Sequence, residues 1–167
     1  MNTKKVAQLG VLTTLALALS YLESLIPVLV GIPGVKLGLA NLVVVFMLYR
    51  MTVKDALLVS VMRILLAGFM FGNLMSIAFS LAGALFSIGA MWLLKRLKGF
   101  SIVGVSIAGG CMHNFGQLCV AMFVVQTSRL IYYFSVLMIS GIVTGLLIGI
   151  LVELILKHMP TSFTSTI

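Results

Sequence analysis

The chain is 167 residues long; 62% of it is hydrophobic, a further 16 residues are Gly, and 8% is charged, with a formal net charge of +8. An ordinary soluble domain is roughly 45–50% apolar with about a quarter of its residues charged, so too few polar groups are present to cover a globule in water. A soluble enzyme, a secreted domain and a disordered protein are excluded, and an all-α polytopic membrane protein is expected. The positive charge does not indicate nucleic acid, because phosphate-binding residues gather on one solvated surface, whereas here they fall in ones, twos and threes between long apolar runs.

Crossing ~30 Å of hydrocarbon takes about 20 helical residues. Apolar runs of that kind predict six transmembrane helices, near 6–26, 37–50, 54–71, 74–94, 101–126 and 130–156, forming one membrane domain over 1–159 with a short polar tail at 160–167. The first run follows Lys4 and Lys5 and holds Ala16, Leu17 and Ala18, as a signal peptide can. It continues past Ala18 almost without pause, which favours an uncleaved span. Pro27, Gly31, Pro33 and Gly34 then break the chain before a second run that is short for a full span. It either borrows from the preceding loop or sits in a protected position. The links at 51–53, 72–73, 99–100 and 127–128 are terse and imply antiparallel neighbours.

The basic residues predict the topology. With the N-terminus inside, Lys4, Lys5, Arg50, Lys54, Lys95, Arg96, Lys98 and Lys157 face the cytoplasm, Lys36 and Arg129 face out, and Arg63 lies within a span. This is the positive-inside bias, and six spans place both termini in the cytoplasm. Cys111 and Cys119 lie in one apolar stretch and suggest neither a disulfide scaffold nor a zinc site.

Ionisable and amide side chains in hydrocarbon cost several kcal/mol unless paired or functional. The candidates are Glu23 near the outer end of span 1, Asn41 in span 2, Arg63 midway along span 3, Asn73 at the outer turn after it, and His113, Asn114 and Gln117 in span 5. The last three share one helical face, His113 and Asn114 lying four and three residues before Gln117. Counted at ~1.5 Å per residue, the set falls in the middle and outer half of the bundle and suggests an outward-open pocket for a small polar or amphipathic ligand. In the competing reading, Arg63 and Glu23 form a buried ion pair and the amides hold helices together. Asp55 and Glu153, beside Lys54 and Lys157, read as interfacial charges.

Small residues recur every fourth position. Gly141, Gly145 and Gly149, like Ser76, Ser80 and Ala84, suit packing within the bundle; Gly10, Thr14 and Ala18 suit either packing or an outward docking face. With one Asp, two Glu and no phosphate loop, the chain lacks the clustered carboxylates of Mg²⁺-dependent prenyl transfer and the motif of ATP hydrolysis. No catalytic residue, metal or cofactor is expected, and any transport must draw energy from a partner or an ion gradient.

Six stretches carry a family resemblance: Gly34-Val-Lys-Leu-Gly-Leu-Ala-Asn-Leu42, Arg63-Ile-Leu-Leu-Ala-Gly68 with Phe71-Gly-Asn73, Ser80-Leu-Ala-Gly-Ala84, Gly104-Val-Ser-Ile-Ala-Gly109, His113-Asn-Phe-Gly-Gln117 and Ser140-Gly-Ile-Val-Thr-Gly145. Over nearly the whole chain they resemble the bacterial Gx transporter family, also labelled heptaprenyl diphosphate synthase component I. That family is similar in size and layout to the substrate-binding S components of energy-coupling factor (ECF) vitamin transporters. The resemblance implies a micronutrient bound in an outward-facing pocket, and rotation in the cell membrane on a T subunit driven by two cytoplasmic ATPases. It also implies docking through small residues on span 1, where Gly10, Thr14 and Ala18 stand in place of paired alanines. Flavin-, quinone- or isoprenoid-related ligands are the classes it suggests. The synthase label implies an enzyme or its subunit, of which only a non-catalytic membrane component fits a chain without an Asp-rich motif. A stand-alone ion-coupled carrier is a third reading.

On this view the ligand enters beneath a lid formed by the loop 27–36. Lys36 and Arg63 attract an anionic or carbonyl-rich group, and Asn41, His113, Asn114 and Gln117 orient it. Glu23 either pairs with Arg63 or binds a ligand donor, and Asn73 at the outer turn is counted among the ligand-binding candidates.

Overall fold

The computed structural model describes residues 3–26, 37–97 and 99–159. Six α-helices make up the fold: α1 (Thr3–Leu25), α2 (Leu39–Arg50), α3 (Val53–Phe71), α4 (Leu74–Arg96), α5 (Ile102–Val125) and α6 (Phe134–His158), the last entered through a 3₁₀ turn at Ser128–Tyr133. No strand occurs among the described residues.

Local chemistry sets the helix boundaries. Thr52 and Asp55 form a reciprocal capping box at the start of α3: the Thr52 hydroxyl accepts from the Asp55 N–H at 3.2 Å, and Asp55 Oδ2 accepts from the Thr52 N–H at 3.3 Å. Asn73 and Ser76 do the same for α4, and Ser101 caps α5 by accepting from the Gly104 N–H. Each box satisfies N–H groups that the first helical turn leaves unpaired.

Four stretches are long and apolar enough to cross a membrane: α1, α4, α5 and Ser128–His158. The other two helices differ for separate reasons. The 19-residue α3 carries Lys54, Asp55 and Arg63. The 12-residue α2 rises only about 18 Å, and six consecutive residues, Val43 to Leu48, are buried. A helix buried all round is a core element, which agrees with the expected protected position; the loop from which the run could borrow lies outside the described residues.

Neighbouring helices close a ring. α1 packs on α2 and α3, α3 continues to α4, α4 to α5 and α5 to α6, and α6 returns to α2. The α5–α6 seam is the tightest, because glycine lets the two backbones meet. A methyl group placed on Gly141, Gly145 or Gly149 would lie 2.9, 2.6 or 2.7 Å from the Cα of Cys111, Ile107 or Val103, well inside van der Waals contact. That stripe serves packing within the bundle, as expected.

The two ends of the bundle differ in chemistry. At one end, Lys5 pairs with Asp55 at 2.9 Å, Arg50 reaches the carbonyls of Leu156 and Met159 at 3.3 and 3.4 Å, and Lys95 donates to the Leu48 carbonyl. Cations thus sit on exposed carbonyls at helix C-termini, where the helix dipole favours them. Asp55 is therefore a cap and an ion-pair partner of Lys5, and Glu153 pairs with Lys157 at 2.8 Å. At the opposite end the helices diverge around a cavity.

Candidate functional site: a cavity lined by all six helices

The cavity measures about 450 Å³, within the roughly 300–1,000 Å³ typical of small-molecule sites. Every helix contributes to its wall: Ser20, Glu23 and Ser24 from α1, Asn41 from α2, Arg63, Ile64 and Phe71 from α3, Ser76 and Ser80 from α4, His113, Asn114 and Gln117 from α5, and Thr144 from α6. Glu23, Asn41, Arg63, His113, Asn114 and Gln117, drawn from four helices, are thereby brought together as their depth in the sequence predicts.

The site is built from short-range backbone choices. Gly38 adopts φ +72°, a left-handed conformation that L side chains rarely tolerate, and its N–H donates to Glu23 Oε1. The Glu23 carboxylate thereby ties the end of α1 to the entry of α2. Arg63 takes a different partner: its Nη1 donates to Ser20 Oγ at 3.4 Å, while its buried Nε has no hydrogen-bond partner among the described residues. No ion pair joins Glu23 and Arg63 among the described residues, so the buried-pair reading is not what the structure shows. Among its described residues the cavity presents one carboxylate and one guanidinium that make no direct ion pair.

On α5, Gln117 and His113 are linked through their Nε2 atoms at 3.1 Å. The imidazole fits against α4 only because residue 83 is Gly: a Cβ there would lie 2.8–2.9 Å from three ring atoms. Asn114 is buried, and its Nδ2 donates to the Leu137 carbonyl of α6 at 2.7 Å. Part of its capacity is thus spent holding helices together, as the competing reading supposed, while the side chain still borders the cavity. Thr144 and Ser20 return their hydroxyl protons to carbonyls of their own helices, at Ser140 and Ala16, so each oxygen faces other groups as an acceptor, as Ser20 does to Arg63.

Asn73 is placed elsewhere. Its side chain is exposed and caps α4, accepting from the Ser76 N–H at 2.8 Å, and it is not part of the cavity wall. A polar residue one position before an apolar helix satisfies a capping role first, and the residue pair Asn73/Ser76 carried that signal. Lys36 and the expected lid at 27–36 lie outside the described residues. Ser20, Ser24, Ser76 and Ser80 are wall residues that sequence reasoning passed over. Their i, i+4 spacing was the available signal, and for Ser76 and Ser80 it was read as packing. Below the cavity, a void of one water's size adjoins Asn41 and Thr144 and reaches the buried Ser87 and Ser106.

The stripe on α1 faces away from all this. Gly10, Thr14 and Ala18 are exposed, and a Cβ on Gly10 would meet nothing within 4 Å. It does not pack against the described residues of this chain. Among the described residues no group of three or more His, Cys, Asp or Glu side chains converges as a metal site. The described wall sets hydroxyls, amides, an imidazole and two opposite charges beside Ile64 and Phe71, an arrangement with the polarity to match an amphipathic molecule.

No curated protein and no solved structure matches the chain. A family model does, over residues 12–155, a stretch that contains every described wall residue of the cavity and most of all six helices. The chain belongs to the family described as heptaprenyl diphosphate synthase component I.

Proposed function

We propose that this protein is a membrane subunit that captures a small molecule from outside the cell for transport, in the manner of an ECF S component. The observation that carries this reading is the convergence of polar side chains from all six helices on one cavity, at the end opposite Lys5, Arg50 and Lys95. Lys5, Arg50 and Lys95 gather at the far end, and cations favour the cytoplasmic side. The cavity then opens outward, all six helices span or support the span of the cell membrane, and both termini are cytoplasmic. Arg63, Asn41, His113, Asn114 and Gln117 hold the ligand, and a flavin-, quinone- or isoprenoid-related molecule is the class the family resemblance favours. The protein is not itself an enzyme on this reading.

The exposed stripe of Gly10, Thr14 and Ala18 supports docking of a T subunit, itself driven by two cytoplasmic ATPases. Small side chains let a partner helix approach closely where lipid supplies no hydrophobic drive. The family's description favours a second reading, a non-catalytic membrane component associated with a prenyl diphosphate synthase. A stand-alone carrier is a third.

Affinity purification from native membranes separates them. Recovery with a T subunit and ATPases supports capture for transport, recovery with a soluble prenyl synthase supports the second reading, and recovery of neither favours the third. Ala18→Leu is expected to abolish recovery of the T subunit while leaving ligand retention by the isolated protein unchanged. Undiminished recovery removes the α1 stripe from the docking surface.

A further inference from the structure

Arg63 and Glu23 are the charged side chains among the described residues of the cavity wall, and they are spent differently. Glu23 is anchored by the Gly38 N–H, and Arg63 by a single long bond to Ser20, with its Nε unpartnered among the described residues. Arg63 is deep in the wall, where a charge with an incomplete set of partners is costly, while Glu23 is half-buried nearer the end of α1. A ligand with an acceptor end toward Arg63 and a separate N–H or O–H donor end toward Glu23 satisfies both. A diphosphate brings several negative charges to a wall whose described residues hold one guanidinium and one carboxylate, and like charges brought together at a binding site cost several kcal/mol. Ile64 and Phe71 border the same space and accept an apolar body.

We propose that the cavity selects a molecule of net charge zero, with its acceptor and donor groups apart, and rejects the phosphorylated forms of the same molecule. The inference rests on the capture reading above and narrows it: of the flavin-, quinone- and isoprenoid-related classes, the unphosphorylated members fit. It also separates the cavity's chemistry from the diphosphate in the family's description, since a prenyl diphosphate is not a ligand that this wall accommodates.

The test uses the full chain in lipid nanodiscs and probe pairs that differ by phosphate alone: riboflavin against riboflavin 5′-phosphate, and geraniol against geranyl diphosphate. A desalted small-molecule extract of bacterial cells is added as an unbiased pool. Retained molecules are read by mass spectrometry against nanodiscs lacking the protein. The expected result is enrichment of a net-neutral molecule, from the extract or a probe pair, with the phosphorylated counterpart weaker by about tenfold or more. Glu23→Gln keeps an acceptor oxygen for the Gly38 N–H but removes the negative charge, and it is expected to shrink that discrimination severalfold. A phosphorylated molecule retained as well as or better than its neutral counterpart overturns the inference while capture stands, as does discrimination unchanged in Glu23→Gln. If nothing from the extract or the pairs is enriched, the capture reading fails and takes this inference with it.

Discussion

The first three helices and the last three solve the same packing problem with different materials. Along the α5–α6 seam the solution is steric: Gly141, Gly145 and Gly149 let two backbones approach so closely that no side chain fits between them. In the α1–α3 half it is electrostatic and hydrophobic at once, with a short buried α2 whose ends are held by Glu23 on one side and Lys95 on the other. Close backbone contact is rigid because it has no slack. Side chains that bridge helices through one or two hydrogen bonds leave room for a cavity, and the cavity lies where the two halves meet.

The contrast is sharpest when the same substitution is made in both halves. Gly145→Leu is expected to remove about 3 kcal/mol or more of stability, or to prevent folding, because its Cβ already lies 2.6 Å from Ile107 Cα. Gly10→Leu, on the outer face of α1, should change stability by no more than about 0.5 kcal/mol. Thermal unfolding of the two variants in detergent measures the difference, and equal losses would erase the distinction between the halves.

Within the cavity the next largest effect belongs to Arg63. Arg63→Met should lower ligand retention about 100-fold while sparing membrane insertion, since a hydrogen bond to a charged group contributes about 1.5–3 kcal/mol. Retention unchanged from wild type would take Arg63 out of the site. A smaller effect is expected at Gly83→Ala, where the new methyl group must displace the His113 ring. Retention should fall about tenfold with little loss of overall stability, a cost of about 1.4 kcal/mol. The smallest is Asn73→Ala, expected to cost about 1 kcal/mol of stability through the lost cap and to leave retention as it was. A fall in retention there would return Asn73 to the ligand site.

Much of this was legible in the sequence because a membrane makes polarity informative. Arg63, Asn41, His113, Asn114 and Gln117 stand out as polar groups in apolar runs, and their depth along each helix is enough to predict that they meet. What the sequence left open was partner choice. Glu23 and Arg63 look like an ion pair by charge alone, yet Glu23 is taken by the backbone N–H that the left-handed Gly38 presents. The serines at 20, 24, 76 and 80 are too small and too common to distinguish wall from seam before the helices are assembled. Asn73 is polar near the rim, but its neighbour Ser76 makes it a cap.

The amino-acid order by itself determined that the chain is helical, that it needs an apolar solvent, and that cations collect at one end and amides toward the other. Those are consequences of period, hydropathy and desolvation, which act residue by residue. Only the tertiary structure decided that α2 is a buried wedge, that the α1 stripe faces outward, and that opposite charges share a cavity without pairing. Each of these depends on which helix stands beside which, and that follows from close packing among distant segments, which local sequence pattern does not specify.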